Sequence, residues 1–308
     1  MTFQQMEYIV AVDKYRHFAR AAESCGITQS TLSSLIQKLE SELDVTIFDR
    51  STHPVKPTEL GEEIIKQARV LLFNMSQIQE FVSSYKGESG GKVRMGIAST
   101  IAPYILPRMF KYLSAKHPDI DLYVEEAHVP AVIGKLERAE LDLALLATPL
   151  DNDGLLEIPV YKERFVAYVS PEEGLYKEKE LDVSLLASEN VWMLQEAYCP
   201  NSGTFPFCQS GGGSRATYAA GSIETLVRIV DENGGYTIIP ELHVPLLKGS
   251  QQYNIRNLHN PEPAREVALV IRKDYVKERI LNIFADALKS VIPSYMIYER
   301  IKKFPIKL

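Results

Sequence analysis

Apolar residues in the first sixty positions recur at helical spacing in three segments. Phe3–Tyr15 carries an apolar stripe, Phe18–Cys25 is a second and shorter segment, and Gly26 follows it. Thr28 is a suitable N-cap for a third helix, Gln29–Leu43, because its hydroxyl can accept a backbone N–H from the first turn. Helices in this order, with a glycine at the tight corner, predict a helix-turn-helix.

The third predicted helix has a polar face opposite its apolar one. Short polar side chains exchange hydrogen bonds with base edges and phosphates when a helix lies in the major groove. The residues predicted to contact DNA in this way are Gln29, Ser30, Thr31, Ser33, Ser34, Gln37 and Lys38. The next stretch, Thr46–Thr58, predicts a strand–turn–strand wing with Arg50 near its tip, which would contact the DNA backbone. The same helical corner also occurs in all-α domains that bind no DNA, so spacing alone leaves both interpretations open.

A longer helix is predicted from Thr58 to about Lys86. Its apolar residues alternate at intervals of four and three, which is the pattern of a coiled-coil seam. They are Ile64, Ala68, Leu71, Met75, Ile78, Val82 and Tyr85. Such a seam favours pairing with a second copy of the chain over packing on its own domain, and a two-fold dimer suits the recognition of two DNA half-sites.

Beyond the glycine-rich stretch 87–91, strand and helix patterns alternate to the end of the chain. This alternation predicts an α/β fold with a mainly parallel sheet. The predicted strands are Val93–Ala98, Ile120–Glu126, Leu141–Ala147, Phe165–Val169, Trp192–Leu194, Tyr236–Ile239 and Val267–Ile271, and the predicted helices are Tyr104–Lys116, Val132–Ala139, Ser222–Glu232 and Tyr275–Ser290. Ligands of such folds bind at the carboxyl ends of strands, so Thr100, just after the first strand, is a candidate to hold a small polar ligand.

Composition excludes several classes of protein. Three cysteines are too few and too odd in number for a secreted disulfide framework, and neither they nor the six histidines have the spacing of a metal site. The segment Met1–Val10 lacks the basic cluster of a signal peptide, and no apolar run reaches about 18 residues. We therefore expect a cytoplasmic protein with no membrane span and no cofactor. The net charge is −6, and residues 1–58 hold six basic and seven acidic side chains, so charge gives DNA binding no support.

Motifs of the N-terminal region resemble those of LysR-type transcription regulators. The resemblance is carried by Phe18–Glu40, Glu42–Arg50 and Thr58–Gly61, and the length and order of the later elements agree with it. It implies a winged helix-turn-helix DNA-binding domain at 1–58 and a linker helix for dimerisation at 59–86.

The rest of the chain, 87–308, would then be the regulatory domain. The resemblance implies two Rossmann-like α/β subdomains similar to those of periplasmic solute-binding proteins. Subdomain I would take in about 91–148 and 265–308, and subdomain II about 149–264. The chain would cross between them near Thr148–Leu150 and return near Pro263–Val267.

The regulatory half also resembles members of that family that sense hydrogen peroxide. The matching motifs are Cys199–Cys208, Ile105–Pro107, Ser222–Leu226 and Pro261–Pro263 followed by Arg265. The resemblance implies that peroxide oxidises Cys199 to a sulfenic acid, which Cys208 resolves into an intramolecular disulfide. It also implies that Thr100 holds the peroxide and that Arg265 favours the thiolate.

Four positions depart from that pattern. Tyr198 and Asn201 stand where a histidine and an arginine flank the reactive cysteine, and Val129 replaces a threonine of the peroxide pocket. Gln37 replaces an arginine of the recognition helix. The first three differences concern the surroundings of the reactive cysteine, and the fourth concerns the DNA sequence that is bound.

The residues alone leave several functions open. Cys199 and Cys208 are nine positions apart, roughly 13 Å if helical, so a disulfide requires this segment to rearrange. Two ordinary buried cysteines would fit the same spacing, and the chain would then be a regulator that senses a small metabolite between its subdomains. A thiol peroxidase is disfavoured by the helical N-terminal region, so we expect no enzyme.

The resemblance also implies the partners. They would be promoter DNA of oxidative-stress genes, hydrogen peroxide as the signal, RNA polymerase, and a reducing system such as glutaredoxin or thioredoxin. The chain would be an activator that forms dimers through the linker helix and tetramers through a second contact of the regulatory domains.

Overall fold

The computed structural model describes residues 1–85, 91–186, 190–192 and 222–308. The chain divides into two compact units, Met1–Glu88 with Arg138–Glu140, and Ser89–Glu137 with Leu141–Leu308. None of the described helices is long and apolar enough to cross a membrane.

The described part of the first unit contains four α-helices and a two-stranded ribbon. They are α1 (Phe3–Tyr15), α2 (Phe18–Ser24), α3 (Gln29–Leu43), β1 (Phe48–Asp49), β2 (Lys56–Pro57) and α4 (Glu59–Tyr85). A capping box between Thr2 and Gln5 starts α1, and Gly26, with φ of +68°, makes the turn between α2 and α3. Because β1 and β2 pair antiparallel, the predicted winged helix-turn-helix is confirmed.

Apolar side chains from these helices and from β1 meet in one core. Leu32, Ile36 and Leu39 of α3 are fully buried and form the apolar face of that helix. Leu35 is half-buried, and its carbonyl oxygen accepts a hydrogen bond from the Gln5 side chain at 3.2 Å. Each fully buried Leu or Ile stabilises the fold by about 1.5–3 kcal/mol, so this packed face holds the polar face of α3 toward solvent.

The apolar seam predicted along α4 divides into two parts. In the first half of the helix Ala68 is buried, together with Ile65, in the core that α4 shares with α1. Further along, Ile78 and Val82 are exposed, at 67% and 47% of their accessible surface. Only the second part of the seam is therefore available to another chain, and dimerisation through α4 stays a prediction.

A mixed sheet organises the second unit. Its described strands are β3 (Gly91–Ala98), β4 (Ile120–Ala127), β5 (Leu143–Thr148), β6 (Leu155–Val169), β7 (Glu180–Asp182), β8 (Val191–Trp192), β9 (Tyr236–Pro240), β10 (Ile255–His259) and β11 (Ala264–Arg272). They lie in the order β4–β3–β5–β11–β6–β10–β7, with β9 paired to β6 and β8 paired to β9. β3 pairs parallel with β4 and β5, whereas β11 is antiparallel to β5 and β6, and β6 is antiparallel to β9 and β10. The mainly parallel sheet predicted from the alternation is therefore wrong for the centre, because β6 and β11 run against their neighbours.

Strand β6 runs through both halves of this sheet. Its first part, up to Arg164, pairs with β11, and the part from Phe165 pairs with β9 and β10. The chain thus changes halves between these two residues, later than the crossing predicted near Thr148–Leu150. It returns to the first half where β11 begins at Ala264 and pairs with Arg164. The predicted division into domains and subdomains otherwise stays a prediction.

Helices cover the sheet of the second unit. The described ones are α5 (Ala102–Lys116), α6 (Val129–Glu137), α7 (Ile223–Asn233), α8 (Glu278–Val291) and a short α9 (Glu299–Lys303). The four helices predicted in this region match α5 to α8 with ends that differ by at most three residues. Of the strand predicted at Trp192–Leu194, the part beyond Trp192 lies outside the described residues.

Candidate functional site

The polar face of α3 is open to solvent in the first unit. Six of its seven predicted contact residues are exposed: Gln29, Ser30, Thr31, Ser34, Gln37 and Lys38. At the start of the helix the Thr28 Oγ1 accepts the Thr31 N–H at 3.2 Å, which satisfies one of the free N–H groups of the first turn. This capped, solvent-facing row of short polar side chains has the chemistry to contact bases and phosphates.

Arg50 links the wing to the same helix. Its guanidinium donates to the Ser33 Oγ and to the Glu40 Oε2, both at 3.0 Å, and lies over the Phe18 ring at 5.0 Å. The other Glu40 oxygen accepts two backbone N–H groups of the chain entering β1. Arg50 and Ser33 thus hold the wing against α3. The Arg50 side chain is 33% exposed, and only this exposed part is available to contact an external phosphate.

Thr100 and Arg265, two of the predicted site residues, lie together at the end of β3 in the second unit. The Arg265 side chain is almost fully buried; its Nη1 donates to the Thr100 Oγ1 at 3.0 Å and its Nη2 to the Thr100 carbonyl at 3.1 Å. The Thr100 oxygen accepts from a guanidinium, so its own O–H can donate to a further group, and no acceptor for it is found among the described residues. The Ile101 N–H donates to the Ala98 carbonyl at 2.8 Å, and Pro103 has no N–H, so neither residue offers a backbone donor to a ligand.

Two further residues, Glu163 and Tyr104, complete this cluster, and neither was predicted from the sequence. Glu163 of β6 is fully buried, and its Oε2 accepts the Arg265 Nε and the Tyr104 hydroxyl, each at 3.0 Å. The Arg265 Nη2 also donates to the Tyr104 oxygen. The alternation of the strand did indicate burial of Glu163. It lies two positions from Tyr161 and from Phe165, so it shares their face of β6, and both of them are buried.

The cluster carries one positive and one negative charge. Burial raises the pKa of Tyr104 and of Tyr161 well above the ordinary value, so both phenols are neutral in the physiological range. Burial acts to lower the pKa of Arg265, but Tyr104 and Glu163 more than offset it, and the guanidinium stays charged. Arg265 is therefore an internally paired cation, which weakens its predicted action on a thiolate.

A cleft of about 820 Å³ opens beside the loop that contains Thr100. One wall comes from the ends of β3 and β4, including Glu126, and the other from α7 and a 3-10 turn at Glu241–Leu246. His243 on that turn is buried, and burial lowers the pKa of its imidazole. The cleft therefore presents acidic, basic and neutral polar groups at the carboxyl ends of strands, where ligands of such folds bind.

The predicted redox residues, Cys199 and Cys208, lie outside the described residues, as do Tyr198 and Asn201. Val129 is the first residue of α6 and is half-buried. Cys25 is partly buried at the end of α2. The described residues hold no cluster of His, Cys, Asp and Glu that could bind a metal ion.

Two family models match the chain. Residues 3–62 match the bacterial regulatory helix-turn-helix protein model of the lysR family, and residues 86–293 match the LysR substrate binding domain. Together they extend over both compact units.

Individual proteins are similar over almost the whole chain. The "Hydrogen peroxide-inducible genes activator" of Haemophilus influenzae is 32% identical over 95% of this chain and 99% of its own length. The "DNA-binding transcriptional dual regulator OxyR" of Escherichia coli K12 is 30% identical over 88% of this chain and 90% of its own. Among solved structures, a full-length OxyR variant from Pseudomonas aeruginosa has a TM-score of 0.80 at 29% identity and covers 95% of this chain and 99% of that one.

Proposed function

The chain belongs to the LysR family of bacterial regulatory helix-turn-helix proteins, and from this premise we propose that it is a DNA-bound transcription regulator whose signal is hydrogen peroxide. The observation that carries the proposal is its similarity, along the whole chain, to activators of peroxide-inducible genes. As a regulator of this family the chain is not an enzyme. Cys199 and Cys208 supply the pair of thiols that a reversible peroxide switch needs.

The proposed reaction has two steps. The Cys199 thiolate attacks one oxygen of hydrogen peroxide, the O–O bond breaks, and hydroxide leaves, so the sulfur becomes a sulfenic acid. The Cys208 thiolate then attacks that sulfur, an S–S bond forms, and the sulfenic oxygen leaves as hydroxide. The two protons that the thiols lost on ionisation convert both hydroxides to water. Two thiols and one peroxide thus give one disulfide and two waters. A dithiol reductant such as glutaredoxin or thioredoxin would return both thiols.

Thr100 supports this reaction through its O–H. The hydroxyl can donate to the peroxide oxygen that leaves, which stabilises the negative charge developing there. Arg265 fixes the threonine in that orientation through two hydrogen bonds.

On the DNA side, the polar face of α3 would lie in the major groove and the wing would contact the backbone. We propose residues 1–58 as the DNA-binding domain, 59–86 as the linker and 87–308 as the regulatory domain. Dimers through α4 and tetramers through the regulatory domains would place two or more α3 helices on promoter DNA in the cytoplasm. The disulfide would change how these domains pack and, through RNA polymerase, the rate of transcription.

Mass spectrometry of the full chain tests the redox proposal. After treatment with a few equivalents of hydrogen peroxide we expect a disulfide between Cys199 and Cys208, and reduction by dithiothreitol should remove it. Cys25→Ser is the matched control and should leave the disulfide unchanged, whereas Cys199→Ser should abolish it. Failure of the wild-type chain to form this bond would end the peroxide proposal, although DNA binding would survive.

A second candidate is a regulator that senses a small metabolite, and the cleft of about 820 Å³ is the observation that favours it. A thermal-shift screen of metabolites against Cys199→Ser separates the two. Stabilisation of this variant as strong as that of the wild-type chain, with no peroxide-driven disulfide in the latter, would favour the metabolite.

A further inference from the structure

A small apolar cavity of about 160 Å³ lies among α5, the 3-10 turn at Glu241–Leu246 and the end of α8. Aliphatic side chains such as Leu246 and Val291 form part of its wall. Four of its lining residues are prolines, which have no backbone N–H to offer a ligand: Pro103, Pro107, Pro245 and Pro293. An apolar cavity of about 150 Å³ is large enough to bind benzene, so this one has room for about six carbon atoms.

Hydrogen bonds to a buried carboxylate hold two walls of the cavity in place. The Tyr104 hydroxyl and the Leu242 N–H both donate to Glu163, at 3.0 and 3.1 Å. Because Glu163 is fully buried, water cannot replace either contact. The cavity is therefore preformed, and a ligand that enters it need not order these walls first.

Arg108 of α5 is the one charged side chain among the described residues that line the cavity. It is exposed, and its guanidinium forms no hydrogen bond or ion pair with the part of the chain that the structure describes. The Tyr104 hydroxyl, in contrast, is already bonded to Glu163. The site thus combines apolar walls with a single cation that has its donors available.

We propose that this cavity binds a small carboxylate with a short apolar tail, the tail lying between the prolines and the carboxylate on Arg108. Charge complementarity decides for an anion, because a guanidinium can donate two parallel N–H groups to one carboxylate. The volume limits the tail to about six carbons. The site does not depend on the proposed reaction with peroxide, since it uses neither cysteine of that reaction.

A ligand-observed NMR titration of the full chain with sodium hexanoate tests the site. We expect saturable binding, about ten-fold tighter than that of hexanamide, which has the same carbon chain without the charge. Butanoate lacks two CH₂ groups and should bind about fifteen-fold more weakly. Decanoate should gain little over hexanoate, because its additional carbons find no room in the cavity. An affinity that keeps rising with chain length would indicate adsorption to exposed apolar surface and would overturn the inference, as would the absence of saturable hexanoate binding.

Arg108→Gln removes the charge at an exposed position, where we expect no loss of folding. Its affinity for hexanoate should fall about ten-fold, to that of hexanamide, and its affinity for hexanamide should stay at the wild-type value. Arg300→Gln is the matched control, because Arg300 is an exposed arginine of α9 that does not line the cavity. It should bind hexanoate as the wild-type chain does. An equal loss in both variants would show a general effect of net charge and would contradict a site at Arg108.

A third variant separates this cavity from the larger cleft, since Pro103 and Leu246 line both. Lys248 lines the cleft but not the cavity, so Lys248→Gln should leave hexanoate binding unchanged. Weaker binding to Lys248→Gln together with unchanged binding to Arg108→Gln would place the anion in the cleft and would overturn the inference.

Discussion

Gly61 is the point where α4 passes closest to the wing, and its replacement by alanine gives a quantitative prediction. A Cβ at this position would lie 2.1 Å from the carbonyl oxygen of Ile47, well inside the normal contact distance. The Ile47 segment cannot move freely, because its N–H donates to Glu40 at 2.8 Å and its carbonyl accepts the Thr58 N–H at 2.9 Å. The chain must therefore shift by about 1 Å or lose one of these contacts.

Two destabilising effects and one stabilising effect determine the net change in the free energy of unfolding. Overpacking costs about 1–3 kcal/mol, and loss of the hydrogen bond from Thr58 to Ile47 costs about 1 kcal/mol. Alanine returns about 1 kcal/mol, because it favours a helix more than glycine does. We expect Gly61→Ala to destabilise the first unit by about 2 kcal/mol, which raises its unfolded fraction roughly thirty-fold.

Two probes separate this local effect from a global one. The single tryptophan, Trp192, lies in the second unit, so its fluorescence during urea unfolding should be unchanged by Gly61→Ala. Hydrogen exchange measured by mass spectrometry should accelerate in α1, α2 and α3. The matched control is Gly174→Ala, whose added Cβ would meet nothing within 4 Å and should change neither probe. Unchanged exchange in Gly61→Ala would refute the reasoning.

Three further predictions concern α3, the wing and the cleft. Thr28→Ala removes the acceptor for the Thr31 N–H and should cost α3 about 1 kcal/mol, seen as faster exchange in its first turn, which Thr28→Ser should prevent. Arg50→Ala should weaken DNA binding without changing the slope of log affinity against log salt, because Arg50 holds the wing; a slope smaller by about one would show a phosphate contact. Burial lowers the pKa of His243, so the unfolded chain binds a proton that the folded chain resists, and stability should fall as the pH drops below about 6.5. His243→Gln should flatten that part of a plot of urea midpoint against pH; an unaltered slope would exclude His243 as its source.

The parts of the first unit that the sequence predicts correctly are those that depend on interactions between residues close in the chain. α3 begins after Thr28 and ends at Leu43 as expected, because a hydroxyl cap and an apolar stripe act within a few residues. The close approach at Gly61 was not foreseen, since it depends on a backbone carbonyl fourteen positions earlier in the chain. A glycine in a helical pattern indicates that another segment can pack close to the helix backbone, but the pattern does not identify the atom that is contacted.

Pairing between distant strands accounts for most of what was missed in the second unit. The first part of β6, Leu155–Arg164, was not predicted, because Pro159 and several charged side chains interrupt its alternation. It forms a strand nevertheless, since β11 pairs with it along its length. The direction of β11 was likewise not readable, because the order of strands and helices does not state which strand pairs with which.

Arg50 and Arg265 show the same limit at the level of single side chains. Arg50 was predicted to contact the DNA backbone and Arg265 to favour the Cys199 thiolate. In the structure each is bound by a carboxylate of the chain, Glu40 and Glu163 respectively. A guanidinium removed from water needs such a partner, because an unpaired buried charge is too costly. The degree of burial then decides whether each guanidinium can also contact a group outside the chain. Arg50 retains partial access to solvent, whereas Arg265 has almost none and is held against Thr100 inside the second unit.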